Sequence, residues 1–249
     1  MYYWKLPPTP TIDLYNDMIQ QTHLLIAGAA GSGKSCLLNG LIQTALHQPP
    51  DAAQFILIDY KGTELCEYEA APHCMRYAQT APDILRTLRD TIDLMERRLD
   101  YMRQHKQRII EASDVYLIVD EMADLMTTHK RQAAPIIQRL TQLARACRIH
   151  VWLSTQCPLR EIITTPIKCN IPARVALKTA TRQDSRNIID QSGAELLPDP
   201  QTEHRAQCLY RHGATTERWN LPQPNGQTKY LIDYWTKARK HFDGKRRTA

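Results

Sequence analysis

The amino-acid sequence predicts an α/β fold with a mostly parallel central sheet flanked by helices. Two observations support this prediction. Short runs rich in β-branched and aliphatic residues alternate along the chain with longer segments whose apolar residues recur at helical spacing. A glycine-rich segment also joins the first apolar run to the first helical segment. Such alternation is typical of parallel strands joined by helices that cover both faces of one sheet.

The predicted elements follow one another in a regular order. Buried strands are predicted over residues 23–28, 54–59, 115–120, 149–154 and 173–178. Helices are predicted over residues 34–47, within 81–110, over 135–146 and near 231–241. The first of these helices ends before Pro49 and Pro50, because proline lacks an amide hydrogen and clashes with the preceding turn.

The organisation of the chain is predicted to be simple. We expect an N-terminal lead-in over residues 1–21, an ATPase domain over 22–200, and a C-terminal extension with a basic tail over 201–249. The second boundary is placed where the composition shifts, beyond Pro198, to proline, glutamine, threonine and charged residues. The last basic residues of the tail are expected to be mobile.

Composition limits the classes of protein that need consideration. The chain has 249 residues, with 32 Lys and Arg against 26 Asp and Glu, so its net charge of +6 permits a polyanionic partner without requiring one. The seven cysteines form no CxxC pair, which disfavours a disulfide framework or zinc cluster. No apolar stretch approaches the roughly 18 residues of a membrane span, so we expect a soluble, cytoplasmic protein with no membrane segment.

The segment from Gly28 to Ser35 matches the GxxxxGK[ST] phosphate-binding pattern in full. Its glycines let successive backbone N–H groups converge on a phosphate, and the following helix adds the partial positive charge of its N-terminus. Lys34 would reach the β- and γ-phosphates of ATP, and the Ser35 hydroxyl would ligate Mg²⁺. The predicted nucleotide-binding residues are Gly28, Ala29, Ala30, Gly31, Ser32, Gly33, Lys34, Ser35 and Cys36. The alternative is a glycine-rich turn that only joins strand to helix.

Acidic and amide side chains follow two later strands. Asp120 and Glu121 end the third predicted strand, where Asp120 would hold Mg²⁺ through water and Glu121 would act as general base toward the attacking water. Gln156 follows the fourth strand and would sense the γ-phosphate, because ligands bind at the carboxyl ends of parallel strands. The alternatives are an acidic loop for the pair and, for Gln156, a loop residue that only hydrogen-bonds backbone.

These motifs in this order resemble the motor domain of FtsK/SpoIIIE-type DNA translocases, within the HerA–FtsK group of P-loop ATPases. Matching segments beyond the phosphate loop fall at residues 58–65, 95–98, 117–126, 143–146, 149–150, 154–156, 170–174, 184–186 and 190–195. The resemblance covers about residues 23–195. It implies a RecA-like fold and a homo-oligomer, usually a hexameric ring, around double-stranded DNA.

The resemblance also implies roles for individual residues. Arg145 aligns with the arginine finger, which the family projects into a neighbouring subunit's ATP site; the alternative is a solvated arginine on a helix face. Lys168 and Arg182 align with DNA-contacting positions, although each would equally suit an ordinary surface charge. Cys157 stands where the family has a third DNA-binding arginine. Arg148 stands where a glycine is usual, and it would alter how the finger is presented.

Three functions stay open at this level. The leading one is an ATP-hydrolysing motor that translocates double-stranded DNA, by analogy for a mobile or conjugative element. The second is a protein-export ATPase of the type VII secretion kind. The third is a nucleotide-gated coupling or scaffold protein, which recruits a relaxase or a membrane channel with little turnover. No residues of this sequence resemble the membrane segments, docking domain or winged-helix module of full-length family members, so we expect a minimal soluble translocase that a partner recruits to the membrane.

Overall fold

A computed structural model of the chain describes residues 13–222 and 226–246. Its strands form one sheet and are β1 (His23–Ala27), β2 (Ala53–Ile58), β3 (Cys74–Ala78), β4 (Asp114–Val119), β5 (Ile149–Thr155), β6 (Ala173–Leu177), β7 (Gln207–His212) and β8 (Thr215–Asn220). The order across the sheet is β3-β2-β4-β5-β1-β6-β7-β8. The strands from β3 to β6 in this order pair in parallel, whereas β7 and β8 add an antiparallel hairpin beside β6.

Helices lie on both faces of this sheet. They are α1 (Asp13–Gln20), α2 (Lys34–Ala45), α3 (Ala81–His105), α4 (Met122–Thr128), α5 (Lys130–Leu143), α6 (Thr165–Cys169), α7 (Arg182–Ile189), α8 (Pro200–Glu203) and α9 (Thr228–Arg246). Short 3₁₀ helices lie at Cys66–Tyr68 and Ala194–Leu196. No helix of the described residues is long and apolar enough to cross a membrane.

Each central strand contributes side chains to two hydrophobic cores, one on each face of the sheet. In β1, Leu24 and Ile26 belong to the core that contains α1 and α2. Leu25 and Ala27 point to the opposite face and join the core that contains α3 and α5. A strand covered on both faces needs apolar residues at every position, which is why these strands read as continuous apolar runs in the sequence.

The structure confirms the predicted fold class and the five predicted strands, which correspond to β1, β2, β4, β5 and β6. The predicted helix over 135–146 begins earlier than expected, at Lys130, with Pro135 inside it. Strand β3 and the β7–β8 hairpin are additional. They lie at the two edges of the sheet, where only part of each strand is buried, so their sequences carry a weaker apolar signal.

The predicted lead-in and the predicted C-terminal extension both pack against the predicted ATPase domain. In the predicted lead-in, Leu14 and Met18 of α1 are buried against α2. Beyond residue 200, β7 pairs with β6, so the sheet continues across the predicted boundary. The three-part division stays a prediction, but residue 200 marks no break in the sheet. Residues 1–12 of the lead-in and residues 247–249 at the end of the tail lie outside the described residues, whereas Lys245 and Arg246 end α9.

Arg148 adopts a backbone conformation that a glycine would adopt with less strain. Its backbone φ is +52°, in the left-handed region that favours glycine and costs other residues on the order of 1 kcal/mol. The side chain compensates, because its guanidinium donates two hydrogen bonds to Asp114, at 3.0 and 2.6 Å. The turn before β5 is therefore held by a charged pair instead of by a flexible residue.

His23, at the start of β1, is expected to make the protein less stable in acid. The residue is 2% exposed, and its Nδ1 accepts a hydrogen bond from the Val151 amide. Burial lowers the pKa of His23 to about 3, and the nearby His150 contributes to the same shift. The unfolded chain takes up a proton near pH 6.5, so the stabilisation is complete above that pH and is lost as pH falls toward 3.

Urea unfolding at several pH values checks this expectation. From pH 6.5 downward, the free energy of unfolding should fall by up to about 1.4 kcal/mol per pH unit from this single group. His23→Gln keeps a hydrogen-bond acceptor but cannot be protonated, and it should lose that part of the slope. Equal slopes for both proteins would show that another group controls acid stability.

Candidate functional site

The phosphate-binding loop is fixed at the carboxyl edge of the sheet. The Gly28 amide donates to the Thr155 carbonyl at 3.3 Å and the Ala29 amide to the Lys178 carbonyl at 2.8 Å, so the loop is tied to the ends of both strands beside β1. A Cβ on Gly28 would lie only 2.6 Å from the Leu177 Cβ, which leaves no room for a side chain. The glycine at position 28 therefore allows the loop to pack closely against the end of β6.

The start of α2 leaves a row of amides available to an anion. Gly33 precedes the helix with φ +96° and provides no side-chain cap. The first helical hydrogen bond runs from the Leu37 amide to the Gly33 carbonyl, and among the described residues no acceptor meets the amides from residue 33 to residue 36. The Ser32 hydroxyl is also buried without a hydrogen-bond partner there. These uncommitted donors fit the oxygens of a bound phosphate.

Lys34 and Asp120 form a buried ion pair beside these amides. The Lys34 ammonium lies 2.7 Å from Asp120 Oδ1 and also donates to the Asp120 carbonyl at 3.3 Å, while the Ser154 hydroxyl donates a short bond to the same carbonyl. Burial raises the pKa of Asp120, and the positive charge of Lys34 lowers it. The nearby carboxylates of Glu64 and Asp59 raise the pKa further. Lys34 is thus held by an acid close to where phosphate oxygens would lie.

Glu121 is oriented by hydrogen bonds from the neighbouring strand. It is buried at the N-cap of α4, and its Oε1 accepts from the Ala123 amide at 3.1 Å. The Thr155 hydroxyl donates to Oε1 at 2.7 Å, and the Gln156 amide donates to Oε2 at 3.0 Å. The carboxylate therefore has a defined direction before any ligand binds, as expected of a preorganised base.

Removing the Thr155 hydroxyl is expected to slow hydrolysis without weakening nucleotide binding. In Thr155→Val, Glu121 loses one of its donors, so kcat for ATP should fall by about tenfold, the effect of roughly 1.4 kcal/mol, while KM stays unchanged. Steady-state ATPase kinetics test this. Thr91→Val is the matched control, because Thr91 is equally buried but its hydroxyl donates only to the Thr87 carbonyl within α3. A similar loss in both variants would point to a folding effect.

Gln156 lies at the same edge as the phosphate loop. Its backbone amide holds Glu121, and its side chain is exposed and makes no hydrogen bond with a described residue. Its position is compatible with a sensor of the γ-phosphate, because the side-chain amide is available to a ligand. It is equally compatible with a loop residue that has only a structural role. Its role toward the γ-phosphate stays a prediction.

Arg145 lies at the opposite edge of the sheet. It follows α5 and precedes β5, and its charge contributes to lowering the pKa of His23 at the amino end of β1. The five residues of β1 separate that end from Gly28 by about 17 Å. The side chain is exposed and has no hydrogen bond or ion pair with a described residue. The structure therefore does not bring Arg145 to the chain's own phosphate loop.

The two predicted DNA-binding residues lie at opposite ends of α7. Arg182 begins this helix and is 68% exposed, with Glu195 at 3.5 Å. Lys168 meets its last turn, where the ammonium donates to the Asn187 carbonyl at 2.6 Å and pairs with Asp190 at 2.6 Å. Arg182 is thus available to a ligand, whereas Lys168 already has protein acceptors. Both assignments stay predictions.

Several residues near the site were not predicted from the sequence. Besides Thr155, the most informative is Asp59 after β2, whose carboxylate accepts from the amides of Gly62, Glu64 and Leu65 at 2.8–3.0 Å. This bonding fixes the loop that carries Glu64 toward Asp120. An aspartate that ends a buried strand and precedes a glycine could have indicated such a turn.

Comparison with known proteins shows which family part of the chain resembles. A model of the FtsK/SpoIIIE family matches residues 10–117. The chain carries a domain of the FtsK/SpoIIIE family. It is 38% identical over 202 residues to the DNA translocase FtsK of Lactiplantibacillus plantarum and 38% identical over 199 residues to that of Staphylococcus epidermidis. These matches cover 73% and 72% of this chain but 25% of each relative, so the chain spans about a quarter of their length.

Solved structures share the fold of this chain. The pCW3 conjugation coupling protein TcpA, in its monomer form with ATPγS, superposes with a TM-score of 0.77 at 23% identity, over 90% of this chain and 66% of TcpA. The cytoplasmic domain of the Thermomonospora curvata type VII secretion ATPase EccC gives a TM-score of 0.70 at 20% identity, over 82% of this chain and 26% of EccC. The resemblance inferred from the sequence motifs is confirmed at the level of family and fold.

Proposed function

We propose that this chain is an ATP-hydrolysing motor that translocates double-stranded DNA as a homo-oligomeric ring. The observation that carries the proposal is the division of its catalytic groups between two edges of one sheet. Lys34, Asp120 and Glu121 lie together at the carboxyl edge, and Arg145 lies at the amino edge. An ATP site that needs Arg145 as well as the groups at the carboxyl edge is complete only where two subunits meet.

ATP would be held by the amides of the phosphate loop and by Lys34. The uncommitted amides at the start of α2 and the unpartnered Ser32 hydroxyl fit its phosphates. Ser35 and Asp120 would hold Mg²⁺ together with phosphate oxygens and water, and the ion would supply neutralisation of phosphate charge. Lys34, now paired with Asp120, would turn toward the phosphates and release that carboxylate.

Hydrolysis would depend on Glu121. A water beside its carboxylate attacks the γ-phosphorus, the bond between the γ-phosphorus and the ADP oxygen breaks, and Glu121 accepts the proton of the water. The bonds from Thr155 and the Gln156 amide keep the carboxylate aimed while this happens. Gln156 would contact the γ-phosphate through its side-chain amide, and thereby report its presence.

Arg145 of one subunit would complete the ATP site of the next. Its exposed guanidinium has no described protein partner and is free to neutralise charge that develops on a neighbour's γ-phosphate. This arrangement makes turnover dependent on assembly. A closed ring completes every site with identical contacts, and it would be hexameric in the family's usual form.

Double-stranded DNA is the cargo that the relatives favour. Relatives with 35–38% identity are named DNA translocases, whereas EccC, at 20% identity, shows the fold alone. Exposed cations such as Arg182 would grip phosphates irrespective of base sequence. We place the motor in the cytoplasm. It would serve a mobile or conjugative element and be recruited to a membrane channel or relaxase by a partner.

ATP turnover measured with and without duplex DNA tests the proposal. Duplex DNA should raise turnover, and this stimulation should decline as salt rises because phosphate contacts are screened. Arg182→Ala should weaken the stimulation, while Arg89→Ala, at an exposed position of α3, should not. If duplex DNA left the ATP turnover of the wild type unchanged, DNA would be excluded as the cargo and the protein-export alternative would be favoured. A lack of turnover under all conditions would favour the coupling or scaffold alternative.

A further inference from the structure

One side chain of α3 reaches the turn that carries Arg145. This turn, residues 144–148, joins α5 to β5. The Arg98 guanidinium donates through Nη1 to the Cys147 carbonyl at 2.7 Å and, more weakly, to the Arg148 carbonyl at 3.4 Å. Arg98 is half-buried, and it thus contacts the backbone of the turn two residues beyond Arg145.

The same guanidinium also reaches the turn before the neighbouring strand. Its Nη1 donates to the Ser113 carbonyl at 3.1 Å, directly before β4, which pairs with β5. Arg98 forms no ion pair with a carboxylate of the described residues, so the partners of its charge are backbone carbonyls. Hydrogen bonds from a charged donor are stronger than those from a neutral one. One side chain therefore ties together the turns that precede β4 and β5.

Cys147 attaches the turn of Arg145 to α3 a second time. The residue is fully buried, and its thiol donates to the Met95 carbonyl at 3.6 Å. Within the described part of the chain, no backbone amide donates to the Cys147 carbonyl, so Arg98 supplies its hydrogen bond. Met95 and Arg98 begin and end the segment of α3 that matches the family in sequence. Loss of the Arg98 guanidinium would leave a buried carbonyl unpaired and loosen the turn.

We propose that Arg98 is a positioning residue for Arg145, because it fixes the turn from which the guanidinium of Arg145 is presented to the next subunit. The inference rests on the proposed role of Arg145 and deepens it. Arg145 is exposed and has no partner among the described residues, so only its backbone can set its direction. A misplacement of about 1 Å in a catalytic group can lower a rate on the order of 10²-fold, so a rigid turn is needed.

A double-mutant cycle of ATP turnover tests the positioning role. Arg98→Met keeps an unbranched apolar stem but removes the guanidinium, and it should lower kcat by a factor on the order of 10² while ATP affinity is unchanged. In the Arg145→Ala background the same change should cause no further loss, because no guanidinium is left to position. Arg97→Met, at an exposed position of the same helix, is the matched control and should turn over ATP as the wild type does.

Arg98→Lys keeps the test valid if Arg98→Met does not fold. Lysine retains a charged donor but lacks the planar group that spans several carbonyls, so kcat should fall by less than in Arg98→Met. This smaller loss should also vanish in the Arg145→Ala background. Thermal unfolding of each variant shows which of the two substitutions is used for the cycle.

Mixed rings show on which side of the subunit interface the defect lies. An Arg98→Met subunit keeps an intact Glu121, so mixing it with Glu121→Gln should restore turnover wherever the Glu121→Gln subunit donates Arg145. Mixing Arg98→Met with Arg145→Ala should restore nothing, because neither subunit presents Arg145 correctly. A residue that only supported its own ATP site would give no restoration in the first mixture.

The outcomes separate the positioning role from the wider proposal. An equal loss from Arg98→Met in the wild-type and Arg145→Ala backgrounds would overturn the positioning role, since Arg98 would then act independently of Arg145. Failure of Glu121→Gln to restore a co-assembled Arg98→Met protein would overturn it as well. Wild-type turnover in Arg145→Ala itself would contradict the proposed sharing of the ATP site between subunits, and the role of Arg98 with it.

Discussion

Glu121→Gln is expected to lower ATP turnover by a factor on the order of 10²–10⁴, the usual contribution of a positioned general base, while ATP binding persists. Glutamine retains an oxygen at the Oε1 position, which accepts from the Thr155 hydroxyl and lies 3.3 Å from the Gln156 amide in the wild type, so the fold around α4 should be preserved. It cannot take the proton of the attacking water. Single-turnover hydrolysis together with equilibrium binding of ATP measures both effects.

The matched control for this substitution is Glu111→Gln, at an exposed position between α3 and β4. It removes the same charge from the chain and should leave turnover unchanged. If Glu121→Gln hydrolysed ATP at the wild-type rate, the base would have to be another acid. Glu64 would be the first to examine, because its charge already acts on Asp120.

Arg145→Ala should reduce turnover by a factor on the order of 10³ or more, as for other arginines donated to a phosphoryl-transfer site. The expected loss is large because a guanidinium donated from a neighbouring subunit neutralises charge that develops on the γ-phosphate. It should come without unfolding because the side chain is exposed. Thermal unfolding and ATP binding are therefore expected to match the wild type, while kcat falls.

Arg131→Ala provides the control for this prediction. Arg131 is likewise exposed on α5, but it lies one helix length from the turn that carries Arg145. Its loss should leave turnover within a small factor of the wild type. Equal turnover in Arg145→Ala and Arg131→Ala would mean that Arg145 is an ordinary solvated charge.

The sequence was sufficient for the centre of the fold and for the placement of Lys34 beside Asp120. Strands β1, β4 and β5 are buried on both faces, so each contains a run of consecutive apolar residues that is easily recognised. Because parallel strands end at the same edge, their order along the chain already predicted that the phosphate loop, Asp120 and Gln156 would converge. The structure brings the first two into direct contact, through Lys34.

The parts that escaped prediction depend on contacts between distant segments. Strand β8 alternates exposed and half-buried residues at the sheet edge, so no apolar run marks it. The acceptors of Lys168 come from the last turn of α7, and nothing local in the sequence indicates that the two meet. The approach of Gln201 to Gly31 likewise requires the chain beyond residue 198 to fold back on the loop.

The claim that two subunits share each ATP site is tested most directly by mixing the two inactive variants. In a randomly assembled ring from equal amounts, about a quarter of the interfaces would pair an intact Glu121 from an Arg145→Ala subunit with an intact Arg145 from a Glu121→Gln subunit. We expect the mixture to regain a matching fraction of wild-type turnover. A mixture that co-assembles, as judged by pull-down of one tagged variant, yet stays as inactive as its components would contradict it.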